Sequence, residues 1–113
     1  MQFFGIVIHH SACPSINGKG YDFFISKNGT IIPASEQTDP HYIHICLEGD
    51  FHERRALLGA PEKEQLFLLS KLIHRLSQTH GFEPDDIFPH TVSCPGKFFP
   101  WPELVISPED EYH

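Results

Sequence analysis

Apolar positions change their spacing along the chain, and each change marks an element. FFGIVIH at residues 3–9 is a short continuous apolar run with β-branched members, the pattern of a strand buried on both faces. PSINGKG (14–20) interrupts it with turn residues. YDFFISKNGTII then predicts two strands joined at Asn28-Gly29, because both residues accept the positive φ that a tight hairpin turn needs. Residues 33–40 are polar loop, and YIHICLE (42–48) predicts a further strand ended by Gly49-Asp50.

After a partly charged loop (50–60) the period lengthens. From Pro61 to about His80, Leu66, Leu69, Ile73 and Leu76 share one helical stripe, Leu72 widens it, and Lys63, Lys71 and Arg75 lie off it. Pro61 suits a first helical turn and Gly81 a C-terminal cap. Residues 86–89 predict a short last strand leading to His90, and the tail from Trp101 has room for one helical turn before an acidic end. The sum is an α/β fold: a mixed central sheet of about four to five strands packed by one long helix and short helical segments.

Composition narrows the class. A chain of 113 residues reads as a single domain, 1–113, with one core, and 40% apolar with 20% charged residues is a globular balance. The formal charge of -7, with no cluster of Lys or Arg, argues against nucleic acid and against anionic membrane surfaces as partners. The opening MQFFGIVIHHSA has no basic n-region before its apolar run, so it reads as a core strand and not as a signal peptide or a membrane span. The expected location is therefore the cytoplasm. Three cysteines, Cys13, Cys46 and Cys94, cannot close a disulfide set, which favours a reducing compartment, a metal thiolate or simple burial.

The candidate chemistry lies in FPHTVSCPGKFFPW (88–101), where His90 and Cys94 stand four apart in a segment of prolines and glycine. Such a pair is either a turn with a buried thiol or two ligands of a metal site that takes its third from elsewhere. A catalytic zinc has three protein ligands and keeps a fourth position for water, whose pKa falls to roughly 7. His9 and His10 end the first strand, where a side chain is held rigidly. Only one of two consecutive strand residues points into a site, and alternation leaves open which.

IVIHHSA (6–12), GYDFFISKNGTII (20–32), HICLEGDF (44–51), EQLFLLSKLI (64–73) and H-x3-CPG (90–96) follow one another in a familiar order. Over nearly the whole chain they resemble the zinc-dependent N-acetylmuramoyl-L-alanine amidases of the phage-lysozyme and peptidoglycan-recognition-protein superfamily. The resemblance implies that His9, His90 and Cys94 bind Zn2+, and that the bond cleaved joins the muramic lactyl group to L-alanine of the stem peptide. It also implies that Tyr21 assists, as a phenol that donates to the oxyanion or positions water.

The chain departs from that pattern in four places. The late loop is short, and Val92 and Ser93 occupy the approach where many members carry a lysine; Lys97, just beyond, is the candidate to reach back. Only CPSINGK separates HSA from GY, where relatives have a helix, so the cleft should be shallower and more open. The segment before YIHICLEG lacks a His-Asn stretch, for which His41 or His44 are the available substitutes. Cys46 stands where some branches place a glutamate base; it reads as a small buried hydrophobe, and Glu48, two residues on, is the carboxylate able to approach the zinc water. Cys13 reads as a loop thiol, and Phe98, Phe99 and Trp101 as packing for the C-terminal segment.

The resulting expectation is a zinc amidase acting on peptidoglycan or soluble muropeptides, with Tyr21, Lys97 and Glu48 assisting. Two alternatives stand beside it: a peptidoglycan- or muropeptide-binding module without catalysis, and a zinc amidase for another acyl-amide. The lack of a signal peptide suits a phage lysin released through a separate holin pore and a cytoplasmic recycling enzyme equally. Nothing in the sequence speaks to the oligomeric state.

Overall fold

The computed structural model describes residues 3–11, 21–34, 41–49, 60–89 and 99, with Ala60 and Pro61 described by backbone alone. Along these segments run β1 (Gly5–His10), β2 (Phe23–Ile25), β3 (Ile31–Pro33), β4 (Tyr42–Leu47), α1 (Ala60–His80) and β5 (Ile87–Pro89). The strands form one mixed sheet in the order β3-β2-β4-β1-β5. Only the β2–β3 pair is antiparallel; β2–β4, β4–β1 and β1–β5 are parallel. The expected mixed sheet with one long helix is therefore present. The turn at 14–20, the C-terminal helical turn, Cys13, Phe98 and Trp101 lie outside the described residues.

The two edges of this sheet, β3 and β5, are short and each ends on a proline, which cannot donate to a further strand. The hairpin forms where Asn28-Gly29 places it, with a longer loop than two residues. Ser26 N–H donates to Thr30 O at 2.9 Å and Gly29 N–H to Ser26 O at 3.1 Å, so three residues, 27–29, make the turn. Gly29 closes it at φ 85°, where a side chain would be strained.

Alternation divides the sheet into two faces. Ile6 and Ile8 of β1, Ile25 of β2, and Ile43, Ile45 and Leu47 of β4 turn one way and bury themselves against Leu66, Leu69, Ile73 and Leu76 of α1. The helical stripe read from the sequence is thus the stripe that packs. Phe99 joins this cluster, as expected of the aromatic run it belongs to. Glu62 in the first turn and His80 in the last complement the helix dipole, and Gly81 ends the helix at φ 79°. Gln65, fully buried on α1, donates its amide to Ile25 O at 3.1 Å and to Glu48 O at 2.9 Å. That one side chain ties the helix to the C-terminal ends of β2 and β4. Among the described residues, no helix is long and apolar enough to cross a membrane.

Because four strands run parallel, their C-terminal ends share one edge of the sheet. Side chains at that edge meet the loops that follow, which is where α/β sheets carry their ligands.

Candidate functional site

Register brings three residues into one row across the sheet. Phe24 of β2 is level with Cys46 of β4, and Cys46 is level with His9 of β1. All three therefore lie on the face opposite Ile8 and Leu47, together with His44, two residues before Cys46. His10, level with Leu47, lies on the other face with Ile6 and Ile8 and is fully buried. The two histidines of the pair thus serve different faces.

His9 is 2% exposed. Its Nε2 lies 2.8 Å from His44 Nδ1, with the two ring centroids 5.0 Å apart at an interplanar angle of 34°. The backbone under His44 is fixed on the β2 side, where that strand has not yet begun. There the Asp22 carboxylate stands in for a strand carbonyl and accepts from His44 N–H at 2.8 Å, while Asp22 N–H donates to His44 O at 2.6 Å. Cys46 is buried with its thiol 3.9 Å from Leu47 O, consistent with the small hydrophobe expected there.

Tyr21 precedes β2 and sets its ring 5.5 Å from that of Phe24. Glu48 follows β4, and its carboxylate accepts from Lys27 N–H at 2.9 Å, which commits one oxygen to the hairpin loop. Ser11 ties the ends of β1 and β4: its N–H donates to Leu47 O at 2.9 Å and its Oγ accepts from Gly49 N–H at 2.8 Å. Of the two substitute histidines, His44 meets His9, whereas His41 lies before β4 with its ring 5.6 Å from that of Phe4.

His90, Cys94 and Lys97 lie outside the described residues. Among the described residues no group of three or more His, Cys, Asp or Glu side chains converges as a metal site. β5 ends with Pro89 level with Ile8, one residue short of His9 along β1, and His90 is the next residue in the sequence.

The sequence that builds this sheet is matched by a family model. That of N-acetylmuramoyl-L-alanine amidase covers residues 2–97. The chain belongs to the N-acetylmuramoyl-L-alanine amidase family. Solved structures carry the same fold. The N-acetylmuramoyl-L-alanine amidase LysC from Clostridium intestinale superposes with a TM-score of 0.68 at 23% identity, over 92% of this chain and 83% of that one. The endolysin amidase LysCS of the same organism gives 0.69 at 23%, over 92% and 82%. Drosophila PGRP-LB gives 0.60 at 20%, over 93% and 86%. No curated protein sequence matches the chain.

Amidases of this family are generally zinc-dependent, and the residues of this amidase-family chain suit that metal. His9 is an imidazole held at a rigid strand end, with one ring nitrogen engaged by a neighbour, as metal-binding histidines are. A histidine and a cysteine follow β5 in the sequence, and nitrogen with sulfur is a donor set that favours zinc. Sequence reading names His44 only as a substitute and does not name Asp22; the structure links Asp22 to His44 and His44 to His9. A histidine within YIHICLE gives a strand position but not its neighbour, since His9 and His44 are 35 residues apart and meet only through the β1–β4 register.

Proposed function

We propose that this chain hydrolyses the amide between N-acetylmuramic acid and L-alanine, in peptidoglycan or in soluble muropeptides, with zinc held by His9, His90 and Cys94. Family membership supports the reaction class. The observation that carries the metal reading is His9: nearly inaccessible, at the shared C-terminal edge of the parallel strands, with its Nε2 held by a second imidazole. When bound, zinc would polarise the scissile carbonyl and lower the pKa of water to about 7.

The remaining work falls to the chain. His9 stays rigid because β1 is hydrogen-bonded on both sides, by β4 and by β5. Tyr21, its ring tilted against that of Phe24, donates a hydrogen bond to the amide oxygen as negative charge develops there. Lys97 supplies positive charge in place of the lysine found earlier in related loops. Glu48 is the weakest of the three assistants, since its carboxylate already serves Lys27 N–H.

Product masses test the proposal. Incubation with a soluble muropeptide should give free stem peptide beginning with L-alanine together with the intact sugar, and none of either under chelation. Cleavage elsewhere in the muropeptide, or equal release with chelator present, would contradict it. Muropeptide bound and left uncut by zinc-loaded protein would identify a recognition module instead.

A further inference from the structure

His44 is set in place more firmly than a strand residue requires. Its N–H and C=O are both bonded to Asp22, at 2.8 and 2.6 Å, so the ring projects from a fixed point on β4. That ring presents Nδ1 to His9 Nε2 at 2.8 Å on the sheet face opposite the hydrophobic core. Between two neutral imidazoles one nitrogen must carry the proton and the other accept it. The two assignments have opposite consequences for His9. If Nε2 of His9 accepts, its proton sits on Nδ1 and neither nitrogen has a lone pair to give. If Nε2 donates, the lone pair that can bind a metal is on Nδ1.

We propose that His44 is the positioning residue of His9: its Nδ1 accepts the Nε2 proton of His9, holds that ring in the Nε2–H tautomer, and leaves His9 Nδ1 as the nitrogen offered to zinc. Metal-binding histidines commonly need such an acceptor on the second nitrogen, and its removal typically weakens metal binding 10- to 100-fold. Asp22 then acts one step further out, by fixing the strand from which His44 projects. This role rests on the zinc reading of His9, and the experiment separates the two.

Zinc dissociation constants would be measured by competition with a chromophoric chelator for the wild type, His44→Phe and His44→Asn. Ring-nitrogen NMR of the metal-free wild type and His44→Phe, at mildly alkaline pH where free imidazole is neutral, reports the tautomer of His9. The expected results are a roughly 10- to 100-fold weaker affinity for His44→Phe and recovery to within a few-fold in His44→Asn, whose amide oxygen restores an acceptor near the position of Nδ1. His9 should be the Nε2–H tautomer in the wild type and shift towards Nδ1–H in His44→Phe. Unchanged affinity in His44→Phe, or a wild-type His9 protonated on Nδ1, overturns the positioning role while leaving zinc in place. A wild type that takes up no zinc overturns both.

Discussion

An imidazole buried at a strand end keeps one orientation only if its ring nitrogens are accounted for, and at His9 one of them is met by His44 Nδ1 at 2.8 Å. His10 differs in kind: it lies on the core face, fully buried with Ile6 and Ile8. His9→Ala should therefore abolish tight zinc binding and, since this ring is as buried as its neighbour's, cost a similar amount of stability. His10→Ala should keep the metal and cost about 2 kcal/mol, as truncation of a buried side chain does. Metal analysis with urea unfolding of both variants reads the two effects apart, and retention of zinc by His9→Ala with its loss from His10→Ala would reverse the assignment. Glu48 allows a similar separation. Glu48→Gln keeps an oxygen for Lys27 N–H and removes the charge, so turnover should fall less than about threefold. A loss of about a hundredfold or more would mark proton transfer at that carboxylate. The HH pair is marked in the sequence by its motif. Alternation alone could not say which histidine takes which face, because it is symmetrical until a neighbouring strand sets the register; only the family resemblance selected His9.

At the scale of elements, the parallel pair of β1 and β5 decides where the chain delivers His90. Gly5 makes that pair possible. A Cβ at this position would collide with Asp86 O and come within 2.9 Å of the Phe88 ring, while Ile6 N–H bonds the same Asp86 O at 2.9 Å. Gly5→Ala should therefore cost about 1–3 kcal/mol through overpacking. Because β5 leads into the late loop, it should also weaken zinc binding although residue 5 carries no ligand. Chemical denaturation and zinc competition on that variant check the two parts, and unchanged values in both would disprove this reading of Gly5. Elements of this kind were legible where local pattern suffices. The stripe of Leu66, Leu69, Ile73 and Leu76 predicts a helix from Pro61 to about His80, and α1 runs Ala60–His80. Asn28-Gly29 predicts the hairpin, though not its three-residue loop, which depends on the pairing of Ser26 with Thr30. Gly5 reads in sequence as one member of an apolar run; its constraint comes from β5, more than 80 residues away in the chain.

For the molecule as a whole, the sheet order β3-β2-β4-β1-β5 sets the C-terminal ends of four parallel strands along one edge. His9 and Cys46 stand near that edge, Glu48 just past it, and the chain runs from β5 directly into the segment that holds His90 and Cys94. Family and fold were readable from the order of short motifs, and the amidase family model and the LysC and LysCS folds agree with that reading. The His9–His44 pair was not, because it depends on two strands meeting in one particular register. On the function proposed above, one zinc per chain makes this fold an amidase. The most direct measurement is a titration of metal-free protein with zinc, following release of stem peptide from a soluble muropeptide at each addition. The expected result is no release at the start, a linear rise, and a plateau at one equivalent. Full release before any zinc is added, or none at saturation, would contradict it.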